Sequence, residues 1–133
     1  MEEKQELPDV QYALFCREVI EDENEITFKN VLHAIFLPRP ADITITLVMK
    51  LINVPKGRHN IHINCVIPPI QLLQWDFDIE LQRRRDCFIT EKLRQIPVST
   101  SNIYRFAILY DGNPIKKLKL PIKLITDLPT TSQ

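Results

Sequence analysis

Glycine is nearly absent from this sequence: only Gly57 and Gly112 occur in 133 residues. A glycine-rich phosphate cradle, which needs several backbone amides unshielded by side chains, is excluded on that ground. Cysteine is scarce too. Cys16, Cys65 and Cys87 are odd in number and tens of residues apart, whereas a disulfide framework or a structural zinc site calls for close pairs. They read as buried free thiols in a reducing compartment. No apolar run reaches the roughly 18 to 20 residues that a bilayer-spanning helix requires. The opening Met1-Glu2-Glu3-Lys4-Gln5-Glu6 is the reverse of a secretory leader. A cytoplasmic chain without a membrane partner is expected. Formal net charge is zero, which argues against polyanion binding by bulk charge.

What the chain has is alternation, punctuated by ten prolines. Val10, Tyr12, Leu14 and Cys16 fall on one face of an opening strand, with Gln11, Ala13 and Phe15 on the other. Glu21-Asp22-Glu23-Asn24 is a polar turn, and the apolar stretch 26–37 breaks at Asn30 and His33. Over 43–54, Ile43, Ile45, Leu47, Met49 and Leu51 alternate with Thr44, Thr46, Val48 and Lys50. Pro55-Lys56-Gly57-Arg58 then reads as a hairpin turn, with Ile61, Ile63, Cys65 and Ile67 inward on the return strand and Pro68-Pro69 ending it.

Downstream, Leu73, Trp75, Phe77, Ile79 and Leu81 alternate with polar residues, as in a strand with one face in water. Arg83-Arg84-Arg85-Asp86 turns the chain, and residues 90–97 fit one helical turn before Pro97. Tyr104, Phe106, Ile108 and Tyr110 lead into Asp111-Gly112-Asn113-Pro114, a hairpin signal. In the last strand Leu118, Leu120, Ile122 and Leu124 oppose Lys117, Lys119, Pro121 and Lys123, and Pro121 marks an edge.

Sites of chemistry are missing. His59 and His62, three apart, fall on opposite faces of a strand, a poor metal clamp. Asp76, Asp78 and Glu80 share a strand face at a spacing too wide to converge on one cation. There is no nucleophile elbow and no cysteine in a thiol-protease setting. No enzyme, cofactor or metal is expected.

Charge, in contrast, is segregated. Residues 1–25 hold nine acids and two bases, and residues 82–123 hold three acids and ten bases. Either the acidic end packs on the basic end within one molecule, or it meets a neighbouring copy, or the basic region meets an acidic partner. Arg83, Arg84, Arg85, Lys117, Lys119 and Lys123 are the candidate contact residues. Lysines on an edge strand also deter sheet-to-sheet aggregation without any partner.

The stretch Tyr12-Ala13-Leu14-Phe15-Cys16-Arg17-Glu18 resembles the opening of a bacterial family of small β-sandwich proteins known only as a domain of unknown function. Tyr104, Phe106, Asp111 and Gly112 resemble its closing strand and hairpin. Phe28-Lys29-Asn30-Val31 departs from that family's usual Ser-Leu-Ile-Gly. The resemblance implies a fold and a bacterial setting, but no activity and no site residue.

Together these features predict an all-β, immunoglobulin-like antiparallel β-sandwich of about seven or eight strands. An acidic segment over 1–9 would precede one domain over 10–125 and a tail over 126–133. The expected role is a non-enzymatic interaction or assembly module with a protein partner or a second copy. Nucleic-acid or polyanion binding through the basic C-terminal third is the alternative, and a small enzyme the third. Far-ultraviolet circular dichroism is expected to show strand, with helix well below the roughly one-third share of ordinary globular domains; a larger helical signal would exclude the class.

Overall fold

Nine runs of alternating or β-branched sequence form strands in the computed structural model, which describes residues 7–67 and 71–125. The acidic residues 1–6, Pro68-Pro69 and the tail over 126–133 lie outside the described residues. The strands are β1 (Asp9–Asp22), β2 (Glu25–Leu32), β3 (Ile35–Leu37), β4 (Ala41–Val54), β5 (Gly57–Ile67), β6 (Gln71–Leu81), β7 (Arg85–Val98), β8 (Asn102–Tyr110) and β9 (Asn113–Leu124). They make a four-stranded sheet ordered β2-β1-β4-β7 and a five-stranded sheet ordered β3-β9-β8-β5-β6. The all-β expectation holds, with nine strands among the described residues rather than seven or eight. Pairing is antiparallel except between β3 and β9, which run parallel. No described helix is long and apolar enough to cross a membrane.

One hydrophobic core draws on both sheets. Ile45, Leu47, Met49 and Leu51 of β4 meet Ile61, Ile63 and Cys65 of β5 and Tyr104, Phe106 and Ile108 of β8. The Phe15 and Phe106 rings bridge the sheets at 4.7 Å, and the Tyr104 hydroxyl donates to the Pro97 carbonyl at 2.7 Å, tying the crossing from β7 to β8. Buried polar groups need such partners, so this bond fixes where the chain changes sheet.

Four sequence expectations are corrected here. Pro55 and Lys56 do not close a hairpin: β4 and β5 belong to different sheets, so the turn arches between layers, with Gly57 at φ 121° where a side chain would be strained. Residues 90–97 are strand, the second half of β7. Gln95, at φ 59°, makes a bulge that lets Leu93 and Ile96 both face the core although they lie three apart. That spacing mimics a helix. A register shift between Val10 and Tyr12 likewise turns Val10 inward with Ala13 and Phe15. Finally, β9 is not wholly an edge, because β3 covers Ile122–Leu124 and leaves only its earlier part open.

Outside the four-stranded sheet lies a second, smaller apolar layer. The β1–β2 hairpin bends back so that the Phe28 ring lies 5.9 Å from Tyr12 and 6.2 Å from Phe88. Cys16, Thr46 and Val48, which point away from the main core, are consequently buried.

On the other side, the edge strand β6 leaves Trp75 and Phe77 half-buried, not fully buried as their alternation suggests. On β7, the edge strand of the other sheet, Glu91 sits between the core residues Ile89 and Leu93, and burial pushes its carboxyl up. An inward-pointing charge on an edge strand opposes edge-to-edge pairing. Because the folded state holds that proton more tightly, ionising Glu91 costs stability as pH rises above the ordinary carboxylate range. Glu91→Gln should therefore unfold at higher temperature than the parent at neutral pH, with the gap closing under acid.

Phe106→Ala is expected to lose about 3 to 5 kcal/mol in urea titration. A parent-like midpoint would mean that the two sheets do not meet at this ring.

Candidate protein-contact face

The outer face of the five-stranded sheet is built by alternation, one side chain in two. Lys119 of β9 stands opposite Arg105 of β8, which stands opposite Val66 of β5 and then Leu72 of β6. In the next row, Lys117, Ala107, Asn64 and Gln74 succeed one another across the same strands. The small side chain of Ala107 leaves a shallow depression of about 290 Å³, walled by Arg105, Lys117, Lys119, Asn64 and Val66. Lys117 and Lys119 are about 7 Å apart along the strand. None of Arg105, Lys117 or Lys119 has a carboxylate partner among the described residues. Like charges directly across a ladder destabilise it, so Arg105 facing Lys119 is a costly arrangement for a free monomer.

The structure separates the six candidates. Lys117 and Lys119 flank the depression, while Lys123 pairs with Phe36 of β3, farther along β9. Arg83, Arg84 and Arg85 sit at the opposite end, since Gly57 pairs with Leu81 and Val54 with Arg85. Arg84 Nη1 donates to the Asn53 carbonyl at 3.3 Å and Asp86 accepts from the Asn53 amide at 2.9 Å. Both brace the turn where Asn53 takes φ 60°. Arg105 is a candidate contact residue that sequence reading missed. Its only signal is the register of β8 on β9.

Asp76 and Asp78 on the same face are already engaged. Asp76 Oδ2 lies 2.9 Å from His62 Nδ1, and Asn60 Nδ2 donates to both Asp76 and Asp78. Arg58 Nε donates to Asp78 at 3.0 Å. The hydrogen bonds from His62 and then Asn60 hold the Asp76 carboxyl below its ordinary value of 3.8. At the hairpin end, Asp111 takes φ 47°, accepts from the Asn60 amide at 2.7 Å, and lies 2.9 Å from His59 Nδ1. His59 Nε2 is 2.9 Å from the Pro55 carbonyl. The two histidines thus fasten the β4–β5 arch and the β5–β6 ladder. No group of three His, Cys, Asp or Glu among the described residues is placed to hold a metal ion. Cys16 and Cys65 are buried free thiols and Cys87 is half-buried; burial pushes Cys65 up to about 12.

No protein-family profile matches the sequence, and no curated protein matches it either. Among solved structures, the chain is similar to part of the Pseudomonas fluorescens alkylpurine DNA glycosylase AlkC, bound to DNA containing an abasic site analog. The TM-score is 0.55 at 8% identity, over 87% of this chain and 30% of that one. A Listeria innocua beta-glucosidase in complex with glucose gives 0.49 at 10% identity, over 84% of this chain and 16% of that one. The chain thus spans less than a third of either protein, and the likeness to the glycosylase is one of fold alone.

Because the folded Asp76 binds its proton more weakly, its contribution is present above the unfolded carboxylate range and is lost as pH falls through the folded value. Thermal melts of Asp76→Asn should fall below the parent at neutral pH and converge on it in acid. Parallel curves would show that Asp76 is not engaged by His62.

Proposed function

We propose that this chain is a non-enzymatic, immunoglobulin-like β-sandwich module of the cytoplasm that binds a protein partner through the Arg105–Lys117–Lys119 face. The observation that carries the reading is the cross-strand meeting of Arg105 and Lys119 beside the Ala107 depression. Edge protection accounts for lysines on the open part of β9, but not for an arginine on β8, which is flanked on both sides. An acidic, partly apolar surface relieves the repulsion and covers Val66 and Leu72, 55% and 53% exposed. The lane of Asp76, Asp78 and Glu80 on the same face opposes a long polyanion. That favours a protein over nucleic acid, as does the distance of Arg83–Arg85 from the lysines.

The Tyr104 bond to Pro97, at the entry to a strand that has just changed sheets, supports the immunoglobulin-like reading, where such tyrosine corners recur. The opening Tyr12–Cys16 supports a bacterial setting by its resemblance.

A photo-crosslinking amino acid placed at Ala107, in the cells that make the protein, tests the reading. Protein adducts that vanish in Lys117→Glu/Lys119→Glu are expected. Nucleic-acid adducts, or none, would overturn it.

A further inference from the structure

The acids of the first 25 residues are not spread evenly. Glu21, Asp22, Glu23 and Glu25 crowd the tip of the β1–β2 hairpin, all exposed. Ile20 and Ile26 beside them are 38% and 47% exposed. No lysine or arginine among the described residues makes an ion pair with these acids. An acidic tip framed by apolar side chains is the chemical complement of a basic depression framed by Val66 and Leu72.

Within one molecule the two cannot meet. The hairpin belongs to the four-stranded sheet and bends over that sheet's outer side, as the Phe28–Phe88 stacking shows. The Arg105–Lys117–Lys119 face is the outer side of the other sheet, with the whole core between them.

Resting on the reading of that face as a protein-contact surface, we infer that its partner is a second copy of this chain. The β1–β2 tip of one copy docks on the Arg105–Lys117–Lys119 face of the next. Glutamates from the tip neutralise Arg105 and Lys119, and Ile20 or Ile26 covers Val66 and Leu72. The contact is heterologous, one surface meeting a different one, so copies join head to tail into a ring or an open chain. Both surfaces are solvent-exposed and charged, so the contact is salt-sensitive; screening sets in within about 10 Å at 0.1 M salt.

Two variants separate the surfaces: Lys117→Glu/Lys119→Glu on the face and Glu21→Lys/Glu23→Lys on the tip. All four positions are exposed, and circular dichroism checks that each variant folds. By light scattering, the parent should gain mass with concentration at low salt and lose it at high salt. Each variant alone should stay monomeric, and an equimolar mixture should regain mass, because the reversed tip then faces a reversed partner. A parent that stays monomeric at low salt, association that survives in either variant, or a mixture that fails to associate would each overturn self-docking. Loss of self-association while Ala107 adducts to a different protein persist would remove this inference and leave the contact face standing.

Discussion

The strand β4 has little contact with water over its middle, and the rest of the molecule is arranged to keep it so. Its inward residues Ile45, Leu47, Met49 and Leu51 are covered by the five-stranded sheet, and its outward Thr46 and Val48 are buried as well. A strand buried on both faces cannot satisfy its backbone with water, so it needs ladder partners on both edges. β1 and β7 supply them. The bent hairpin, the aromatic contacts of Phe28 and the arch at Pro55 all serve this enclosure. Removing water from so much apolar surface is the dominant favourable term in folding.

Enclosure on one sheet leaves the other sheet's outer side as the broad surface free to vary. There Asp76 and Asp78 are held by His62, Asn60 and Arg58, and no carboxylate among the described residues pairs with Arg105, Lys117 or Lys119. The asymmetry is electrostatic rather than steric. The acidic β1–β2 tip and the Arg105–Lys117–Lys119 face lie on opposite layers, although Arg85, Lys92 and Arg94 of β7 share the tip's sheet.

Much of this fold is legible in the sequence. Inward sets such as Ile61–Ile63–Cys65 and Leu120–Ile122–Leu124 are where alternation puts them, because a strand side chain has only two directions. What alternation does not show is which strand lies beside which. The turn at Pro55 looks the same whether it folds a hairpin or crosses between sheets. For the same reason Arg105 is invisible as a contact residue until β8 is set against β9, whereas Lys117 and Lys119 announce themselves by adjacency. Exposure at an edge is also hidden: Trp75 alternates as a core residue does, yet it lies on β6, the last strand of its sheet.

The bulge at Gln95 gives β7 something like a reading frame. Ile96 and Val98 point inward only because one extra residue has shifted the count after Leu93. Deleting Gln95 would restore plain alternation with Leu93, Ile96 and Val98 still inward, whereas flattening the bulge without a deletion would turn Ile96 and Val98 outward. Replacing residues there keeps the frame, provided the left-handed backbone at position 95 remains accessible, and asparagine or glycine would adopt it readily. The left-handed backbone at position 95, more than the length of the segment, is therefore what must be preserved. A β-branched residue at position 95, which resists a positive φ, is the change this segment tolerates least.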